Sequence, residues 1–292
     1  MINLFQTRLF KKVASKFGFY YNSIRIHGVK FDDVGTSDLK EYYFNKNVEI
    51  ETYKFLKGSN YETFIDIGAY FGFFSIYAKL KVGIKNVIAY EASQKNFNQL
   101  KKFAKLNNAD FEIINKAVGD KRGNVKFYNP IYKGTSSFTQ HGQIDGPKTN
   151  PIYADKKYET TDIEMLPIKD IIDHKVNGST LIKIDIEGYE EKTLRTIKDY
   201  LKNVDHVDFL IEFLINDKNN DSLFNYLTSL GYNAYLLTNA GLIYEERPLT
   251  LPKPYRDSSV GYLSTLWKDH LFTKKDKNTI SQLNKIIYKY NL

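Results

Sequence analysis

The stretch from residue 61 to residue 91, YETFIDIGAYFGFFSIYAKLKVGIKNVIAYE, constrains the fold more than any other part of the chain. Thr63 to Ile67 is a short apolar run of the kind that forms a buried strand. It leads into Asp66-Ile67-Gly68-Ala69-Tyr70-Phe71-Gly72, and an apolar helical stretch follows from Phe73 to Leu80. Val87 to Tyr90 is a second strand-like run, closed by Glu91. Strand, glycine turn, helix, strand and carboxylate, in that order, make the nucleotide-binding unit of an open α/β sheet.

Each part has a physical task. A turn leaving a central parallel strand uses glycine because a Cβ blocks close backbone approach to a ligand. The next helix points unpaired N–H groups at that ligand. A carboxylate ending the second strand sits where a ribose lies and accepts from both hydroxyls. Gly72 and Glu91 have the required separation of about 20 residues. Two ligand classes use the unit. Dinucleotides want G-x-G-x-x-G, whereas this turn reads G-x-x-x-G with Tyr70 where a glycine would stand. Asp66 would repel a pyrophosphate but suits the cationic amino acid end of S-adenosylmethionine (SAM). The stretch therefore favours the methyl donor over NAD; a turn that binds nothing is the bland alternative. Glu49 and Glu51 stand just before it, within reach of the donor's amino group or on a solvated helix face.

Composition narrows the partners. The 292 residues suffice for one large α/β domain with additions, and 42% hydrophobic with 26% charged residues is ordinary for a soluble chain. Aromatics reach 15%, from biased codon usage or from a carbohydrate-binding surface. A net charge of +8 permits acidic partners without requiring them. With no cysteine, disulfides, thiolate metal sites and cysteine catalysis are excluded. No apolar run approaches the roughly 20 residues of a membrane span, and no secretory signal is evident, so the cytoplasm is the expected location.

Phe5, Leu9, Val13 and Phe17 form a helical stripe, with Arg8, Lys11, Lys12 and Lys16 mostly off it. That is a weak membrane-surface contact through a basic helix, or a helix covering the domain with solvated lysines. A hairpin is expected through His27-Gly28, and a helix over Tyr42 to Leu56. After Glu91 come a helix over Gln94 to Asn107 and a strand over Phe111 to Ile114, running into Asn115-Lys116-Ala117-Val118-Gly119-Asp120. An adenine ring placed by Glu91 would lie against this strand end. Residues 129–160 are rich in Gly, Pro and hydroxyls and read as a lid, a binding loop or a bland connection. Ser136, Ser137 and His141 are its candidate acceptor-binding residues. The strand Leu181 to Ile184 delivers Asp185 and Glu187 at its carboxyl end, where ligands gather in such sheets. Helix capping is the structural alternative for both. A helix over 189–202, a strand over Val207 to Phe213 carrying Glu212, a helix from Asp221, a hairpin around Thr238-Asn239-Ala240-Gly241 and a terminal basic helix over Ser281 to Tyr290 complete the chain.

Four segments in this order resemble the FkbM-type SAM-dependent methyltransferases. They are Asp66-Ile67-Gly68-Ala69 with Gly72; Tyr90-Glu91-Ala92; Ala117-Val118-Gly119-Asp120 with Gly123; and Lys183-Ile184-Asp185-Ile186-Glu187-Gly188 with Glu190. Gly134 to Phe138 and Glu212 match more weakly, and Ala92-Ser93 replaces the usual proline. The resemblance covers roughly residues 45–240. It implies a class I methyltransferase (Rossmann-like) fold, a doubly wound, mostly parallel seven-stranded sheet with a terminal antiparallel hairpin. It also implies methyl transfer to oxygen, often on a sugar or polyketide hydroxyl. The domain is expected at 45–250, an N-terminal extension at 1–44 and a helical C-terminal extension packed on the domain at 251–292. The expected SAM-binding residues are Asp66, Gly68, Ala69, Tyr70, Gly72, Glu91, Ala92, Ser93, Lys116 and Ala117.

Transfer of an activated methyl is governed by positioning. A sugar hydroxyl gains from a base within hydrogen-bond reach. Asp185, Glu187 and Glu212 are the candidates, with Asp185 the base and no metal expected, although three carboxylates are also able to hold Mg²⁺ or Ca²⁺. The acceptor is expected to be a small molecule or glycan. An NAD-dependent sugar epimerase or oxidoreductase has only Tyr153-Ala154-Asp155-Lys156-Lys157 in its favour, outside any helical pattern. A binding module without catalysis has no reason to carry these carboxylates. A nucleic-acid methyltransferase predicts an Asn-Pro-Pro-Tyr type motif where Asp-Ile-Glu-Gly stands.

Overall fold

Two periodicities lay out the chain: buried runs of about five residues that make strands, and amphipathic runs that cover them. The computed structural model describes residues 24–32, 49–131, 144, 157–214, 218–238, 240–247 and 267–289. A small antiparallel hairpin, β1 (Ile24–Ile26) and β2 (Val29–Phe31), turns at His27-Gly28 as expected. Helix α1 (Ile50–Gly58) leads to β3 (Thr63–Ile67), whose five residues are all buried. Gly72 caps α2 (Phe73–Tyr77) in the left-handed region at φ 78°. A Cβ there would sit 2.0 Å from Leu100 Cδ1, so glycine at 72 serves helix packing. A π-helical turn over Ala78–Val82 follows α2, then β4 (Asn86–Tyr90), α3 (Gln94–Leu106) and β5 (Glu112–Ile114).

The chain then leaves the main sheet. β6 (Ala117–Gly119), β7 (Gly123–Ile131) and β8 (Lys157–Pro167) form a separate three-stranded sheet in the order β6-β8-β7. The expected loop at 129–160 is thus shorter at both ends, because residues 129–131 and 157–160 pair across β7 and β8. Helix α4 (Ile168–Lys175) returns to β9 (Thr180–Ile184). The single helix expected at 189–202 is two, α5 (Glu190–Arg195) and α6 (Lys198–Asn203), broken by a turn at Thr196-Ile197. β10 (Val207–Leu214), α7 (Lys218–Ser229) and the hairpin β11 (Asn233–Thr238) and β12 (Gly241–Glu245) follow.

The main sheet has eight strands in the order β12-β11-β13-β10-β9-β3-β4-β5. The chain winds outward from β3 to β4 and β5, then crosses back to β9 and β10, all parallel. The sheet is doubly wound, with its switch point between β3 and β9. Its antiparallel strand β13 (Trp267–Thr273) comes from the segment expected to be wholly helical, and inserts between β10 and β11. Only α8 (Lys277–Lys289) of that segment is a helix among the described residues. A sheet-interior strand flanked by both neighbours cannot be an extension packed from outside, so the expected boundary at 250 does not divide the sheet.

Alternation along the strands splits the core. Phe64, Leu181, Leu210 and Leu271 share one face with α1, α2 and α8, whereas Ile65, Ile182, Phe209 and Phe272 share the other with α4, α6 and α7. Among the described residues no helix is long and apolar enough to cross a membrane. The stripe at 2–17 lies outside the described residues.

Candidate active site

The carboxyl ends of β3, β4, β9 and β10 converge at the switch point. Gly68 and Ala69 donate their N–H groups to Tyr90 O at 2.9 Å each, which folds the glycine turn onto β4. The Glu91 carboxylate, 5% exposed, accepts from Tyr70 N at 2.8 Å through Oε2 and from Ser93 N at 2.8 Å through Oε1. Asn96 Nδ2 adds a contact of 3.3 Å to Oε1. The acidic residue expected to meet a ribose therefore also pins the turn, including Tyr70 at its left-handed φ of 52°. Gly68, at φ 83°, is required for another reason: a Cβ there would lie 1.8 Å from the Asp185 carbonyl oxygen. Asp185 N in turn donates to Ile67 O at 3.0 Å. The two motif loops are thus in direct backbone contact.

The remaining expected donor-site residues surround this edge. Ser93 caps α3, its Oγ accepting from Asn96 N at 3.4 Å. Ala92 packs beside Ala117, Met165 and Tyr189. Lys116 turns away to Glu164 at 2.6 Å, held by β8. Asn115, given no role from sequence, ties the strand ends together by donating Nδ2 to Glu91 O at 2.8 Å and Ala92 O at 3.1 Å. Ser136, Ser137 and His141 lie outside the described residues. Ile144, from the same segment, packs against the Ala117, Met165 and Tyr189 cluster, next to Ala92 and Ile186.

After β9 the chain makes a tight turn, with Glu187 at φ 59° and Gly188 at φ 100°. The N-cap of α5 is Tyr189, which makes no side-chain cap bond. Glu190 holds the turn instead: Oε1 accepts from Ile186 N at 2.9 Å and Gly188 N at 3.3 Å. Burial pushes the Glu190 carboxyl up to about 7 despite those bonds. The Tyr189 hydroxyl donates to Asp120 Oδ1 at 2.8 Å, which links this turn to the end of β6. Both Glu190 and Asp120 stood in motifs, and the offset of Glu190 from Ile186 was the available signal.

The chemical centre is a polar layer on one sheet face. Register places Asp66 beside Lys183, and Glu212 beside Asp269. Lys183 Nζ donates to Asp185 Oδ2 at 2.9 Å and lies 5.3 Å from the Phe74 ring centroid. Ser75 Oγ donates to Asp66 Oδ2 at 2.5 Å, and Thr52 Oγ1 to Asp269 Oδ2. Lys268 meets Glu51 at 3.1 Å. Asp66 Oδ1 is buried with no hydrogen-bond partner among the described residues.

These groups shift one another. Burial, reinforced by Asp185 and Asp269, holds the Glu212 carboxyl well above its ordinary value, against Lys183. Burial pushes Glu49 up to about 8. Asp66 and Asp269 are also raised, chiefly by burial, although Lys183 and a hydroxyl partner oppose it at each. Burial draws the Lys183 ammonium down, but Asp185, Asp269, Asp66 and Glu212 outweigh it and hold it well above its usual value. The layer thus presents an ion pair, Lys183 with Asp185, beside carboxyls whose proton affinity burial raises. Among the described residues no three His, Asp or Glu side chains are grouped to hold a metal ion.

Comparison with known proteins agrees with the motif reading. The sequence profile of the methyltransferase FkbM domain matches residues 66–234. Among solved structures, the chain resembles a precorrin-6y C5,15-methyltransferase from Geobacter metallireducens GS-15, at 11% identity and TM-score 0.43, covering 84% of this chain and all of that one (100%). It also resembles a methyltransferase from Pyrococcus furiosus, at 14% identity and TM-score 0.40, covering 78% of this chain and 83% of that one. No curated protein sequence matches significantly.

Proposed function

This chain belongs to the FkbM methyltransferase family, and from that premise we propose that it methylates a hydroxyl of a sugar or glycoconjugate with SAM as donor. The enzyme class follows from the family, for which SAM is the usual cofactor. The observation that carries the acceptor chemistry is Asp185, a half-buried carboxylate at the carboxyl end of a central strand, touching the glycine turn through its own backbone. A thiol is partly ionised near neutral pH and needs little help, whereas a hydroxyl needs a base. A wall of several carboxyls also suits a polyol, which brings several donors. NAD gains no support, since Tyr70 stands where a dinucleotide turn has glycine and Asp66 would repel a pyrophosphate.

The residues present fit the donor. The orphaned buried oxygen of Asp66 and the excess of carboxyls suit a ligand with a cationic amino acid end. Glu91 would hold the ribose, the turn from Gly68 to Gly72 the methionine portion, and Ala92, Ser93, Lys116 and Ala117 the adenine side. When bound, SAM supplies an activated methyl carbon to the acceptor oxygen. Asp185 would take the hydroxyl proton on a carboxylate oxygen. Glu212 would support the acceptor from β10, and Glu187 would orient it from the neighbouring turn. Ser136, Ser137 and His141 remain proposed acceptor contacts.

Calorimetric titration with S-adenosylhomocysteine, with NAD in parallel, tests the donor. Methyl-labelled SAM offered with methyl hexosides, nucleotide sugars and non-sugar alcohols tests the acceptor. Tight S-adenosylhomocysteine binding and label on a hexose oxygen are expected. Label on nitrogen, or binding of NAD in preference, would overturn the reading.

A further inference from the structure

We propose that Lys183 is a positioning residue for methyl transfer, holding the Asp185 carboxylate in place at the carboxyl end of β9 so that Asp185, and not Glu212, takes the hydroxyl proton. The inference rests on the reading of Asp185 as the base.

A lysine in the run Leu181-Ile182-Lys183-Ile184 is costly, because the ammonium is 3% exposed and leaves its hydration shell. Its surroundings are specific. Asp66 faces it from β3, Asp185 from its own strand, Glu212 from β10 and Asp269 from β13. Glu49 of α1 also feels its charge, with Tyr53 of the same helix behind Glu49 and Asp66. Phe74 of α2 covers it with a ring face. If its task were only to offset the carboxyl across the register, Asp66 would be the partner. Asp66 instead takes the Ser75 hydroxyl, and among the described residues Lys183 forms its ion pair with Asp185 alone. The exposures give the arrangement a direction. The Asp185 side chain is 28% exposed and that of Lys183 only 4%. An acceptor hydroxyl meets the carboxylate in front while the ammonium stays behind it. During transfer the acceptor oxygen uses a lone pair to form the C–O bond, the S–C pair stays on sulfur, and the proton passes to Asp185. Lys183 keeps its own proton throughout.

Two measurements on the full chain test this. The first needs no acceptor: the titration of Lys183 followed by NMR of lysine labelled with ¹³C at Cε. Coupling between two charges is reciprocal. Lys183 should stay charged to the alkaline limit of the folded wild type, and Asp185→Asn should bring its titration to lower pH. An unchanged Lys183 titration in Asp185→Asn overturns the proposal, whatever acceptor is used. The second compares pH–rate profiles with methyl-labelled SAM and methyl hexosides in wild type, Lys183→Arg, Lys183→Met and Lys183→Met/Asp66→Asn. The double variant removes one charge of each sign and preserves folding if the single one does not. Loss of the ammonium should move the acid limb of kcat to higher pH. In the single variant Lys183→Met, S-adenosylhomocysteine affinity should stay within about twofold, well below the tenfold that corresponds to 1.4 kcal/mol. Lys183→Arg should restore part of the profile. A wild-type profile in a folded Lys183→Met variant overturns the positioning role and leaves the base intact. Full activity of Asp185→Asn overturns the base reading itself.

Discussion

Two buried charge networks occupy one face of the same sheet and follow different rules. Toward the amino edge, Asp208 of β10 is fully buried and receives the Tyr61 hydroxyl at 2.6 Å and the Lys275 ammonium. Lys275 also lies over the Tyr61 ring at 4.6 Å. One carboxylate meets one ammonium and one hydroxyl. Four residues further along β10, about 13 Å at strand spacing, Glu212 belongs to a layer in which Asp66, Asp185, Asp269 and Glu49 share the field of Lys183. The first network is balanced and fastens the segment entering α8 to the sheet. The second is over-acidic, which works against stability and keeps groups poised to exchange protons. Matched charge marks a structural tie here, and unmatched charge marks the proposed site.

The sharpest way to break that contrast is Asp185→Asn. Turnover should fall by about 10²- to 10⁴-fold, with S-adenosylhomocysteine affinity and thermal midpoint close to wild type. A stability loss at full turnover would reverse the assignment of the two networks. Lys275→Met probes the other side. Removing one partner of a buried pair costs about 3–5 kcal/mol, and the lower end is expected because Lys275 is 28% exposed. Urea unfolding should show that loss, while the folded fraction binds S-adenosylhomocysteine normally; a binding defect without a stability defect would merge the two regions.

Glu91→Ala tests a third arrangement, a carboxylate that holds the turn and is proposed to face the donor. Hydrogen bonds to a charged group contribute about 1.5–3 kcal/mol, so S-adenosylhomocysteine should bind about 10- to 100-fold more weakly. Wild-type affinity in the folded variant would remove Glu91 from the donor site. The smallest effect is on pH dependence. Glu49 titrates at about 8 in the folded chain, above its ordinary 4.5. Between those values the folded state holds a proton that the unfolded chain has released, so stability falls as pH rises. Glu190, at about 7, acts in the same direction over the lower part of that window. Glu49→Gln should narrow the difference in thermal midpoint between pH 5 and pH 8 by a few degrees. An unchanged difference would show that Glu49 is not part of the strained layer.

The frame was legible because its signals are local. Thr63–Ile67, the glycine turn and Glu91 declare a strand, a sharp exit and an acidic strand end within one stretch, and the structure reproduces that order. Asp185 was legible for the same reason, since a carboxylate closing a buried strand has few inexpensive explanations. Lys183 carried an equal signal, a cation inside an apolar run, and was read only as part of a motif. Strand β13 is not legible because Lys268, Asp269 and His270 stand together in Trp267–Thr273 and break any apolar alternation, and nothing local says that it enters between two distant strands.

By itself, then, the sequence determined the unit from Thr63 to Glu91, the strand that ends at Asp185 and the family to which they belong. Period-two burial, glycine turns and short motifs depend on neighbours along the chain. Only the tertiary structure decided who faces whom. Lys183 stands beside Asp66 because β3 and β9 pair in one register, and a slip of one residue would send both to the opposite core. Asp269 faces Glu212 because β13 runs antiparallel to β10, and Thr52 reaches Asp269 across 217 residues of chain. Burial and mutual charge then set which carboxyls hold protons, and those depend on distances in space that no spacing in sequence encodes.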